Sequence, residues 1–79
     1  MTEKEVETLA TQFVNEQSAL HAAKHGVEEF SHKFLGTRLH SRLKGKWAAS
    51  FEVRTPEGHL MDGPVVVLVD DTTGHAAFL

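Results

Sequence analysis

Apolar positions along the chain change their period twice. Val6, Leu9, Ala10, Phe13, Gln17 and Leu20 recur three and four residues apart, the spacing of one stripe on an amphipathic helix. Thr2-Glu3-Lys4-Glu5 ahead of the stripe has the form of a capping box, in which Thr2 and Glu5 satisfy each other's backbone N–H groups. Lys24 and His25 suit the negative end of a helix dipole, and Gly26 is a stop. The pattern therefore predicts a helix over residues 3–24.

From residue 34 the period is ambiguous. Leu35, Leu39 and Leu43 lie four apart, as in a helix, but Leu35, Thr37, Leu39, Ser41 and Leu43 also share one parity. Gly36 would cost about 1 kcal/mol inside a helix relative to alanine, and Thr37 suits a strand. A strand over 34–44 is the preferred expectation. After the turn at Lys44-Gly45-Lys46, Trp47, Ala49, Phe51 and Val53 alternate with Ala48, Ser50, Glu52 and Arg54, a half-buried strand. Pro56-Glu57-Gly58-His59 is turn chemistry. Val65 to Val69 is an unbroken apolar run, the mark of a strand buried on both faces. Asp70-Asp71-Thr72-Thr73-Gly74 then reads as a hairpin connection into a last strand over 75–79.

The fold class expected is α+β, with one N-terminal helix packed on a three- to four-stranded antiparallel sheet. Residues 1–79 make a single domain, with no repeat, linker or low-complexity segment. The expected core is Val6, Leu9, Phe13, Leu20, Leu39, Trp47, Phe51, Val53, Val65, Val67 and Val69.

Composition narrows the classes. A 79-residue chain without cysteine has no disulfide, no thiol nucleophile and no Cys-based zinc site. Chains of this size bury only about 60% of their unfolded surface, so a partner is a natural source of stability. A homodimer is expected. No apolar run approaches the roughly 20 residues of a membrane-spanning helix, and the start is acidic rather than signal-like, so a cytoplasmic location is expected. Dinucleotide-binding and α/β-barrel scaffolds are too long for this chain.

The formal charge of −3 conceals a basic middle: net −4 over residues 1–29, +5 over 30–51 and −4 over 52–79. In a strand over 34–44, Arg38, His40, Arg42 and Lys44 project from one face and Lys46 extends the row through the turn. Such a row is a candidate site for phosphates. Trp47 and Phe51 lie on the other parity, so base stacking is not offered beside it. The plainer reading is a solvated sheet face on which charge discourages aggregation. Nucleic-acid or other polyanion binding is thus the alternative rather than the leading expectation.

Catalytic and metal chemistry find weak support. Asp70 and Asp71 are adjacent, so in a strand they point to opposite faces and form no carboxylate dyad. Ser31, Ser41 and Ser50 sit in no nucleophile motif. His21 and His25 are one helical turn apart and could grip a metal ion, but spacing fixes no third ligand, and dipole partnership is the plainer role. No catalytic residue, metal site or cofactor is assigned.

Residues 47–74 resemble the small bacterial YrhB-like, immunity-protein-type domains, in which a helix precedes strands carrying W-x-x-x-F-E, then G-x-x-P, an apolar run and D-x-x-[TS]-G. Trp47, Phe51 and Glu52 match the first element; Pro64, Val65–Val69, Asp70, Thr73 and Gly74 match the second. The last segment is also similar to the PepSY repeat. The first resemblance implies a binding module, some of whose members neutralise toxins, and the second an inhibitory or regulatory domain. Physical chemistry supplies a structural role for the same residues: a lone tryptophan anchors a core, and Asp, Thr and Gly close a turn. The expectation is a small non-catalytic protein-binding module, possible partners being a second copy or another protein.

Overall fold

The computed structural model describes residues 1–79. One helix, α1 (Glu3–His25), precedes four strands: β1 (Ser31–Leu39), β2 (Lys46–Arg54), β3 (Val65–Asp70) and β4 (Ala76–Phe78). The strands form one antiparallel sheet in chain order, β1-β2-β3-β4. The helix lies across one face only, giving the α+β arrangement expected. No helix is long and apolar enough to cross a membrane.

Local chemistry sets the helix ends. The Thr2 N–H donates to Glu5 Oε1 at 2.9 Å and the Glu5 N–H donates to Thr2 Oγ1 at 3.2 Å, so the capping box is formed in both directions. At the other end Gly26 adopts φ 63°, a left-handed conformation that costs glycine nothing. The Val27 N–H turns back to the Ala22 carbonyl at 3.1 Å, a Schellman-type closure.

The core joins Val6, Ala10 and Val14 of α1 to Ala49 and Phe51 of β2 and Val67 and Val69 of β3. Leu9, Phe13, Phe34, Trp47 and Ala76 pack around it, partly buried. Of the expected core, Val6, Phe51, Val53, Val67 and Val69 are buried, while Leu9, Phe13, Trp47 and Val65 are half-buried. Two expectations are corrected. Leu20 is 64% exposed, because the buried stripe runs Val6-Ala10-Val14-Ala22 and carries residue 20 round to solvent. Leu39 is 60% exposed at the end of an edge strand, although it pairs with Trp47.

A third correction concerns residues 34–44. The strand begins earlier and ends at Leu39, and the chain then turns. His40 makes the turn: its Nδ1 accepts the N–H groups of Arg42 and Leu43 at 3.1 and 3.0 Å, while its own N–H donates to the Lys46 carbonyl at 2.8 Å. An Asx-like closure by a histidine ring is not visible in periodicity. The register also shifts between Phe34 and Gly36, a bulge that leaves Leu35 without a partner on β2.

The fourth correction concerns Val65–Val69. Only Val67 and Val69, which face α1, are fully buried; Val65, Val66 and Leu68 are half-buried. The strand has the composition of one covered on both faces, but this chain supplies a single covering layer.

Candidate functional site

The basic row is the first candidate, and the turn at His40 divides it. Arg38 stands on β1 opposite Ala48, on the sheet face away from the helix. His40 is occupied as the acceptor that closes the turn. Arg42 and Lys44 lie in that turn, exposed, and no carboxylate lies within 4.0 Å of either or of Arg38. Lys46 begins β2, and its ammonium pairs with Asp70 across the strands at 3.0 Å. Arg38, Arg42 and Lys44 are therefore the free cations of the segment, on a bend rather than a flat row.

The residues that carry the family resemblance each have a structural task. Trp47 and Phe51 pack on the helix side. Glu52 accepts from Arg54 Nε at 2.9 Å on the other side of the sheet. Pro64 follows Gly63 beside Leu35, Leu60 and Met61 around a shallow hollow of about 190 Å³. Asp70 Oδ1 accepts the Thr72 and Thr73 N–H groups at 2.9 and 2.8 Å, Thr73 Oγ1 accepts the His75 N–H at 3.2 Å, and Gly74 takes φ 75°.

The two adjacent aspartates do face opposite ways. Asp70 meets Lys46 on the uncovered face, whereas Asp71 accepts the Trp47 indole N–H at 2.7 Å. Both carboxyls are held below the ordinary carboxylate range. For Asp70 the main cause is the Thr73 N–H, followed by the Lys46 ammonium and the Thr72 N–H. For Asp71 it is the Trp47 indole, followed by the terminal ammonium of Met1 at 3.2 Å. The indole–carboxylate bond was missed in the sequence because it spans 24 residues.

His21 and His25 approach each other, their ring centroids 4.5 Å apart, and His21 also meets the edge of Phe30 at 6.1 Å. No group of three or more His, Cys, Asp or Glu side chains is placed to hold a metal ion.

The second candidate, which the sequence reading did not single out as a site, is the uncovered sheet face. Ala48, Val66, Leu68, Ala77 and Leu79 form its centre, with Leu35, Leu60 and Met61 at one end. Leu35 is 54% exposed, Leu60 57% and Leu79 69%. The ion pairs Lys46–Asp70 and Glu52–Arg54 stand at its two ends. The plan is that of a binding interface, an apolar centre inside a polar rim. The sheet edges are guarded by contrast: β1 carries the bulge and Lys33, and β4 is only three residues long.

No protein-family model matches the chain, and no curated protein or solved structure is significantly similar to it.

Proposed function

We propose that this chain is a non-catalytic protein-binding module that works through the uncovered face of its sheet, and that the occupant of that face is a second copy of itself. One observation carries the reading: β3 has the all-apolar sequence Val65-Val66-Val67-Leu68-Val69, suited to cover on both faces, and one layer of cover exists within the chain. The rim ion pairs are satisfied within each protomer, so stacking two copies leaves these four charges already neutralised, while the unpaired Lys33 and Arg38 stand along the β1 border of the face. The guarded edges favour face-to-face packing over continuation of the sheet. The immunity-type resemblance of residues 47–74 agrees in class, since it too implies a binding module.

The test is mass in solution. Sedimentation at about 100 μM is expected to give twice 8.7 kDa, and Leu68→Lys is expected to give a monomer with the helical circular dichroism retained. A wild-type monomer at that concentration overturns self-association. A monomer that captures a different protein through Leu68 keeps the face and changes the occupant.

A second reading, polyanion binding through the basic segment 33–46, has its own support in the four unpaired cations Lys33, Arg38, Arg42 and Lys44. They suit a polyanion such as a nucleic acid. Binding of generic DNA or RNA that weakens steeply from 50 to 200 mM salt, and is lost in Arg42→Glu with Lys44→Glu, would establish it. Absence of binding at low salt removes it.

A further inference from the structure

The last turns of α1 carry two matched side chains. His21 and His25 lie four residues apart, so a helix of 3.6 residues per turn stacks them on one face. Their rings meet, with centroids 4.5 Å apart and planes tilted by 46°, and both residues are exposed. The backbone beneath them is fixed. The Gly26 and Val27 N–H groups both turn back to the Ala22 carbonyl. Ser18 Oγ donates to the Phe30 carbonyl at 3.0 Å, which ties the chain leaving the helix back against it. Phe30 also packs edge-to-face with His21, at 6.1 Å between centroids. The pair therefore rides on a rigid element rather than on a loop.

Nothing within the protein engages the two imidazoles through their nitrogens. The side-chain hydrogen bonds of α1 and its cap belong to Thr2, Glu5, Thr8 and Ser18. No carboxylate lies within 4.0 Å of either histidine. Partnership with the helix dipole accounts for one cationic ring at this end. It does not account for two rings in contact, because two protonated rings this close repel each other. Two neutral rings that share one cation avoid that repulsion and keep the favourable term with the dipole.

Chemistry then selects the ion. Imidazole nitrogen binds Zn²⁺ at about 2.0–2.1 Å, so two nitrogens on one ion lie about 3 Å apart. Rings with centres 4.5 Å apart reach that separation by turning about their own side-chain bonds. Imidazole suits Zn²⁺, Cu²⁺ and Ni²⁺, whereas Mg²⁺ and Ca²⁺ prefer oxygen ligands. The surroundings favour a cation: Glu28 and Glu57 line the open hollow beside the pair, and no Lys or Arg does. Lys24 is the opposing charge on the same turn, and it is exposed to solvent. No third side chain is in place as a ligand. The remaining positions fall to water, as in sites whose metal exchanges or takes a further ligand rather than holding the fold together.

We propose that His21 and His25 form a two-histidine chelate for an exchangeable divalent ion of the Zn²⁺, Cu²⁺ and Ni²⁺ class. The site lies at the end of the helix, away from the face assigned to self-association, so neither reading depends on the other.

The probe is ZnCl₂, titrated into the full chain at neutral pH and followed by the imidazole NMR signals. His21 and His25 are expected to respond together and saturably, at a Zn²⁺ concentration about tenfold or more below that which moves His59 or His75, because the second nitrogen binds intramolecularly. EDTA is expected to reverse the response, and MgCl₂ at the same concentration to produce none. His25→Ala is expected to weaken binding at His21 about tenfold or more. His25→Ala combined with Ala23→His keeps the number of histidines but sets the second ring two residues on, at an exposed position across the helix. That variant is expected to bind no better than His25→Ala. A wild-type response at His21 and His25 no tighter than at His59 and His75 overturns the chelate, as does a double variant that matches the wild type. Absence of any response at millimolar Zn²⁺ overturns the site.

Discussion

Two faces of one sheet have been treated differently by the same chain. On the helix side, Ala49, Phe51, Val67 and Val69 are sealed by Val6, Ala10 and Val14. On the other side, Val66 and Leu68 come from the same strand and are just as apolar, yet they stay half-buried under no second layer, and only the small Ala48 of β2 is buried there. Residue type therefore does not decide burial in β3. Position relative to the single helix decides it, and successive valines meet opposite fates because strand side chains alternate. A short chain can cover one face of a sheet; an apolar second face then acts as an interface.

The comparison breaks most visibly at the closed face. Phe51 is 1% exposed and is the largest fully buried side chain. Phe51→Ala is expected to cost about 3–5 kcal/mol, which in a domain this small leaves little folded protein. Loss of the cooperative urea transition is the measurement. A sharper version uses two neighbours. Val67→Ala is expected to cost about 2 kcal/mol from lost transfer energy and the cavity left behind, at any protein concentration. Val66→Ala is expected to cost less than about 1 kcal/mol in the monomer, and its cost is expected to grow with protein concentration if the open face is paired. Equal, concentration-independent losses at both positions would erase the distinction between the faces.

The sequence disclosed the closed face better than the open one. Val6, Phe51, Val53, Val67 and Val69 were legible because a period of two or of three to four places an apolar residue on one side, and both elements followed it. Leu20 misled because a stripe four residues apart drifts round a helix of 3.6 residues per turn, and Ala22 replaced it. The basic row misled for a different reason. Its spacing is right for a strand, but His40 accepts two N–H groups and turns the chain. Such a side-chain-to-backbone closure competes with the sheet and has no periodic signature. The open face was half-legible: the apolar run 65–69 marks a strand buried on both faces, and one helix in so short a chain leaves the second face to a partner, but the residues that line that face follow only from the strand register. The open hollow beside His32 was not legible, because α1, the start of β1 and β4 meet there only in the fold.

A smaller effect lies at the start of the helix that distinguishes the faces. Thr2→Ala removes the acceptor for the Glu5 N–H and half of the capping box. The cost is expected to be about 1 kcal/mol. Thr2→Ser is expected to restore most of it, and thermal melts followed at the helical circular dichroism band would read both. Because α1 covers only one face, Thr2→Ala is expected to change stability without changing the mass in solution of the folded protein.

The finest test uses the two aspartates that divide between the faces. Both have folded pKa values below their unfolded ones, so each contributes stability above the usual carboxylate range of about 4. That contribution is lost as the pH falls through the folded values. Wild-type stability is therefore expected to fall from about pH 4 downward, by an amount that exposure to solvent keeps small. Asp71→Asn is expected to flatten this slope and to alter Trp47 fluorescence, because the indole N–H donates to that carboxylate on the helix side. Asp70→Asn is expected to flatten the slope while leaving the tryptophan signal unchanged, since its partners are Lys46 and the turn N–H groups. His32 adds to the acid loss in a separate window. Its folded pKa is lowered, so protons favour the unfolded chain as the pH falls below about 6.5. His32→Phe is expected to remove that upper slope alone. Urea midpoints from pH 7 to pH 2 separate these contributions. A tryptophan signal that responds equally to Asp70→Asn and Asp71→Asn would show that the two carboxylates do not report on separate faces.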